Sequence, residues 1–276
     1  MKKNIITLLL LSVTSVSFAQ TNSNINLLEK VKPTEQNIVQ VTYDGINKEE
    51  VIKNFNNDVK TFPLSEEEKE EFLKQIYLTH PENYLTRDQF FVVTDRNPKK
   101  QNAALAFWNQ DKNVVELIGF TKVSTGSVKK RHFYTPLGWF ENLPEHGSYR
   151  AQGTKNENGI RGYGQKGMRV WDFGWVPSTS GYTKGLNIDI RFQMHATDPD
   201  YLEPRLGTPD SQGCVRVHQS MNKFLDTYGI IDTEYEAINS WVLKKDRIKI
   251  ADRGSYLLVI ETDNLTSKEE TKTKTN

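Results

Sequence analysis

The chain carries a single cysteine, Cys214, within PDSQGCVRV at residues 209–217, and a histidine, His195, stands nineteen residues before it. A thiol with a free pKa of about 8.5 becomes a nucleophile near neutral pH only beside a base or a positive charge. An imidazole within hydrogen-bond reach supplies both. Attack on an amide also needs donors for the oxyanion that develops. Gly213 permits the close backbone approach that lets N–H groups around Cys214 point at it. Residue types and spacing therefore fit a Cys–His acyl-transfer site. They fit a buried structural thiol equally well, because free cysteine packs as a small hydrophobe and one cysteine with one histidine is not a specific pattern.

Two elements must bring these residues together. In LNIDIRFQMH, Leu186, Ile188, Ile190, Phe192 and Met194 alternate with Asn187, Asp189, Arg191, Gln193 and His195, the pattern of a strand with one apolar and one polar face. His195 ends that strand on the polar face, where it is expected to meet solvent and substrate. Pro199, Pro204, Gly207 and Pro209 then allow a loop that returns Cys214 to the strand end. An imidazole there is expected to draw the thiol pKa below its free value by pairing thiolate with imidazolium.

With these residues in place, HATDPDYLEPRLGTPDSQGCVRV resembles the signature of the L,D-transpeptidase catalytic domain, the YkuD-like family. That signature runs from a histidine, usually in His-Gly-Thr, through a loop to Ser-His-Gly-Cys, an aliphatic residue and Arg or Asn. Upstream, VSTGSVKKRHFYTPLGWF is similar to the family's Val-Ser-Thr-Gly, turn and Thr-Pro-x-Gly stretch, and GSYLLVI to its final strand. The resemblance implies a mainly β, β-sandwich-like catalytic domain acting on peptidoglycan stem peptides through a Cys214 thioester. It makes His195 the base, oriented by the carbonyl of Ala196, and the N–H groups around Gly213 and Cys214 the oxyanion donors. Arg216 either holds a substrate carboxylate or braces the loop, and Ser211 and Thr197 shape the substrate site by hydrogen bonding. Ala196 replaces the usual glycine. Gln212 replaces the usual second histidine and can exchange hydrogen bonds but carry no charge, so it is expected to touch substrate preference or rate. Besides transpeptidation, two alternatives remain: an L,D-carboxypeptidase using water as acceptor, and a catalytically silent peptidoglycan-binding domain.

Other constellations carry less. His80, His132, His146, His195 and His218 show no paired metal-ligand spacing, and no metal or organic cofactor is expected. Gly162-Tyr163-Gly164-Gln165-Lys166-Gly167 is formally GxGxxG, but no apolar strand leads into it and no helix comes after it, so a dinucleotide site lacks its context. The stretch Gly147 to Gly185 reads instead as a long glycine-hinged loop of the kind that covers a cleft, with Trp171, Phe173 and Trp175 packing on one face beneath it. Asp189 and Asp210 read as a strand-face residue and a turn residue.

Around this centre, strands are expected at Gln89 to Thr94, Ala103 to Trp108, Val114 to Val123, Leu186 to His195 and Tyr256 to Glu261. A helix carries Met221, Phe224, Leu225 and Tyr228, with Gly229 as its cap. Two helices precede the β region. One spans about Lys48 to Val59, the other starts at a capping box on Ser65 and runs to about Leu78 before His80-Pro81. They form a small segment with a packing role.

At the start, Lys2 and Lys3, the apolar run Ile5 to Val16 and Ser17-Phe18-Ala19 read as a signal peptide cleaved after Ala19, too short for a membrane span. The expected organisation is a signal peptide at 1–19, a leader and small helical segment at 20–86, a catalytic domain at 87–262 and a polar tail at 263–276. Export would place the protein in the periplasm or cell wall, without a stable membrane anchor after cleavage. With 36 basic and 35 acidic residues in 276, the charge balance argues against a nucleic-acid partner. Oligomeric state is not legible.

Overall fold

The runs of β-branched and aromatic residues fold into nine strands in the computed structural model, which describes residues 45–263. The expected signal peptide, nearly all of the leader and all but the first residue of the polar tail lie outside the described residues.

The two N-terminal helices begin where their caps dictate. In α1 (Lys48–Asp58) the Asn47 side chain accepts the N–H of Glu50 at 3.0 Å. In α2 (Glu66–Tyr77) Ser65 and Glu68 satisfy each other's N–H groups at 3.2 and 3.1 Å, the reciprocal pair that saturates two orphan donors of a helix start. Pro81 then opens a single 3-10 turn, and His80 before it takes a left-handed φ of 53°.

The strands are β1 (Gln89–Asp95), β2 (Asn102–Asn109), β3 (Val114–Ser124), β4 (Gly138–Glu141), β5 (Tyr149–Arg150), β6 (Arg169–Thr179), β7 (Asn187–Ala196), β8 (Val215–Val217) and β9 (Tyr256–Ile260). Two further helices, α3 (Gln219–Tyr228) and α4 (Thr233–Ala237), come after β8. The fold is mainly β. Its strands form one sheet in the order β4-β9-β1-β2-β3-β8-β7-β6-β5, antiparallel except for the β1–β9 and β7–β8 pairs.

The sheet has two halves joined through β3, and the main core draws on both. Phe90, Val92, Leu105 and Phe107 from one half share it with Trp171, Phe173, Phe192, Met194, Val215 and Val217 from the other. Helices α1 and α3 seal it, with Phe55 edge-on to Phe224 at 5.1 Å. A second core lies on the outer face of the first half, where Phe72 and Ile76 of α2 cover Phe91, Val93, Ala104, Ala106 and Trp108. Successive residues of β1 thus enter different cores, which is why all seven are buried. The helical segment shares both cores with the strands. No helix among the described residues is long and apolar enough to cross a membrane.

The glycine-rich stretch departs from its expectation. Gly147 to Gly185 holds β5 and the whole of β6, with Val170, Trp171 and Phe173 buried, and only residues 151–168 form the covering loop. The strand is masked in the sequence because it is bulged. Trp171 faces Met194 and Asp172 faces Gln193, but Trp175 faces Arg191, so one extra residue is inserted around Gly174, whose φ is +82°. The insertion reverses the facing of the residues after it. Trp171 and Phe173 pack in the core as expected, whereas Trp175 turns to the polar face and is 67% exposed.

Phe72 is fully buried and meets Phe120 edge-on at 5.3 Å. Phe72→Ala should cost about 3–5 kcal/mol in urea unfolding, since the α2 lid cannot collapse into the space its ring leaves.

Candidate active site

The polar face of β7 continues onto β8. The two strands run parallel with Met194 opposite Val215 and His195 opposite Arg216, so Cys214, just before β8, lies beside Gln193. Alternation then places Gln193, His195, Cys214 and Arg216 on one face. Met194 and Val215 fill the core beneath them.

Loop 209–214 is held in shape from two sides. The N–H groups of Asp210 and Ser211 both donate to the Thr125 carbonyl at 3.1 and 2.9 Å. Ser211 Oγ donates to the Cys214 carbonyl at 2.6 Å and accepts the Gly213 N–H at 3.1 Å, while Thr135 Oγ1 donates to the Gly213 carbonyl at 2.8 Å. Gly213 adopts φ +132°, a conformation that favours glycine, whereas the nearest atom to a Cβ there, Ile190 Cδ1 at 2.6 Å, ends a flexible side chain. Its N–H is committed to Ser211, which leaves the Cys214 N–H as the oxyanion donor of the expected pair.

His195 Nδ1 lies 2.6 Å from the Ala196 carbonyl, the orientation implied by the resemblance. A carbonyl only accepts, so Nδ1 carries the proton and Nε2 presents its lone pair. The surroundings differ from the solvent-facing position expected for the residue. His195 is 4% exposed, covered by the Tyr163 ring at 4.6 Å between centroids. Tyr163 belongs to loop 151–168, and Gly164 beside it brings the backbone against Ala196, where a Cβ would lie 2.9 Å from that of Ala196. A cleft of ≈ 670 Å3 opens beside this loop, with Tyr149, Lys155, Tyr163 and Trp241 among its walls.

Burial also overturns the expected ion pair. Desolvation pulls the His195 pKa down to about 4 and pushes the Cys214 thiol up to about 11. The guanidinium of Arg216 adds to the fall at His195 and opposes the rise at Cys214, weakly in both cases beside the loss of water. The thiol points to the Arg191 carbonyl, with Sγ 3.8 Å from the oxygen, rather than to His195. The resting site is thus a neutral thiol beside a neutral imidazole.

The other residues singled out in the sequence take up distinct places around this pair. Ser211 and Thr197 are each 1% exposed; Ser211 shapes the loop, and the Thr197 hydroxyl has no hydrogen-bond partner. Gln212 projects to solvent. Arg216 Nη1 donates to the Asp210 carbonyl at 3.1 Å and lies 3.5 Å from the Asp210 carboxylate, which is the bracing arrangement of the two considered. Asp210 also pairs with Lys129. Sequence reasoning passed over Tyr163, the Asp172–Arg191–Gln193 group on β6 and β7, and His132. The His132 ring binds Ser127 Oγ at 2.6 Å and reaches the Ser211 backbone, so a histidine does touch this loop, from a distant segment. Only the glycines around Tyr163 carried a local signal, and they resembled a nucleotide motif.

No family model and no curated protein matches the chain. Among solved structures, a mutant of the helical cell shape determining protein Pgp2 from Campylobacter jejuni is similar at 12% identity and a TM-score of 0.30. The match covers 70% of this chain and 56% of that one, so the chain spans little more than half the length of that protein. The site is read from its own residues.

Burial has two consequences for pH dependence. A histidine at about 4 in the fold and at 6.5 when unfolded takes its proton first in the unfolded chain. Stability should therefore fall as pH drops from 6.5 to about 4, by up to roughly 3 kcal/mol, and level off below. His195→Gln should lower the slope in that window by about one proton in urea titrations at stepped pH. Alkylation of Cys214 by iodoacetamide should keep rising past pH 9 toward 11; a plateau below pH 8 would instead mark a preformed thiolate.

Proposed function

We propose that the protein is an exported cysteine acyltransferase of the L,D-transpeptidase type, acting on peptidoglycan stem peptides. The observation that carries this reading is the placement of Cys214 and His195 on one face of adjoining parallel strands, with His195 Nδ1 fixed on the Ala196 carbonyl and Nε2 free to accept a proton. A buried structural thiol requires none of this. The positive-φ glycine before the thiol and the tautomer-fixing bond beside it suit a loop that presents a reactive thiol.

The neutral pair dictates the order of events. Sγ turns from the Arg191 carbonyl, passes its proton to His195 Nε2 and forms the S–C bond to the scissile carbonyl in one step, because burial of the imidazole disfavours a free imidazolium. The Cys214 N–H faces the oxyanion. Collapse breaks the C–N bond, the proton on Nε2 moves to the departing amine, and the terminal D-residue leaves. An amine of a second stem then attacks the thioester and the thiol is restored. Water in place of the amine yields the carboxypeptidase outcome at the same site. The cleft beside Tyr163 is lined by loop 151–168 and Trp241 and not by Cys214 or His195, so it adjoins the reacting pair only through the Tyr163 ring.

Incubation with purified muropeptides and mass spectrometry of the products tests this directly. Wild type should form a cross-linked or D-residue-trimmed product, and Cys214→Ala should form none while unfolding at nearly the same urea concentration, since the side chain is half-buried in a polar loop. Product formation by Cys214→Ala near the wild-type level would remove Cys214 from the chemistry, and no product from wild type would leave a silent binding domain.

A further inference from the structure

Two arginines share the polar face around Cys214, and their exposure differs. Arg216 is 18% exposed and held by Asp210, whose carbonyl and carboxylate both lie against Nη1. Arg191 donates Nε–H to Asp172 Oδ2 at 2.9 Å and one Nη2–H to the His146 carbonyl. A guanidinium has five N–H donors. The remaining three have no protein partner among the described residues, and the Arg191 side chain is 39% exposed.

The position of Arg191 is set from two directions. Below it, Asp172 is 2% exposed and holds Arg191 and the Gln193 amide, at 2.7 Å, through Oδ2, while Oδ1 accepts the Gly174 N–H at 2.9 Å. Beside it, the exposed Trp175 ring lies 5.9 Å from the guanidinium carbon. Trp175 faces this way only because of the bulge at Gly174, and bulges beside sites commonly serve to re-aim one side chain. The main-chain carbonyl of the same Arg191 receives the Cys214 thiol. A planar cation with open donors is therefore fixed on the residue whose carbonyl the nucleophile contacts.

We propose that Arg191, presented by Asp172 and Trp175, is the specificity-determining residue that binds a carboxylate of the acyl-donor peptide next to its scissile bond, an inference that rests on the acyl-transfer reading. Open guanidinium N–H groups match a carboxylate in a plane, and a lysine's point charge would not. A donor peptide that ends one residue beyond the scissile bond bears its α-carboxylate within a few bonds of the attacked carbonyl. Asp172 orients the arginine without covering the open donors.

Because the chain has one cysteine, iodoacetate and iodoacetamide at about pH 9 compare an anionic and a neutral probe of the same shape at a single atom. The iodoacetate-to-iodoacetamide rate ratio of wild type should fall about tenfold in Arg191→Gln and by much less in Arg216→Gln, whose charge the Asp210 carboxylate offsets. Trp175→Ala alters an exposed ring and leaves the Asp172 pair intact. It should lower the ratio several-fold, and it carries the test if Arg191→Gln does not fold. An unchanged ratio in both Arg191→Gln and Trp175→Ala, or a loss confined to Arg216→Gln, overturns the proposal. In turnover, amidating the donor's terminal carboxylate should raise KM for wild type about as much as Arg191→Gln raises it for the free acid, and should add nothing in the variant. An Arg191-dependent iodoacetate preference without any muropeptide product supports the anion site and overturns the acyl-transfer reading alone.

Discussion

Three residues of β8 join the two halves of the sheet. Val123 and Ser124 of β3 pair with this strand on one side and Met194 to Ala196 of β7 on the other. So short a ladder holds through packing, since Val215 and Val217 are both fully buried in the core that the two halves share. The same pairing sets the site. Anything just before Val215 must emerge beside Gln193 and His195, and the chain can reach that point only by turning sharply at Gly213. Ser211, Thr125 and Thr135 satisfy the backbone groups of the turn.

A thiol and an imidazole on the face of a packed sheet do not become an ion pair merely by proximity. Once Tyr163 and the loop around Gly164 cover His195, the loss of hydration outweighs what a charged partner returns, and both groups stay neutral. The residues that keep their charge nearby are those supplied with partners: Arg216 with Asp210, and Arg191 with Asp172.

Burial of charge recurs behind the site. Arg169 and Asp232 are both fully buried, 3.1 Å apart, with Trp171 Nε1 and the Asn142 amide also donating to Asp232. The pair ties the start of β6 to the segment after α3, so the strand carrying Asp172 and Trp175 is anchored at its far end. Removing either partner alone would strand a charge in the core.

Much of this architecture was legible one residue at a time. The Ser65 capping box, the stop at His80-Pro81, the apolar stripe of α3 with its Gly229 cap, and the runs of β1, β2, β3, β7 and β9 are local facts, written in neighbours a few positions apart. Local interactions recur wherever their residues do, so the sequence by itself determined the mainly β class and the helix ends, and it offered one thiol and a strand-end imidazole as candidates. The tertiary structure decided the rest. Strand β6 emerges from a glycine-rich stretch because its bulge is defined only against β7. Trp175 and Arg191 face the site because one inserted residue reverses the pleat there. Arg216 is paired because Asp210 is folded back to it, and His195 is neutral because a distant loop excludes water from it. Register and desolvation depend on partners far away along the chain, and no window of sequence contains both sides of such a contact.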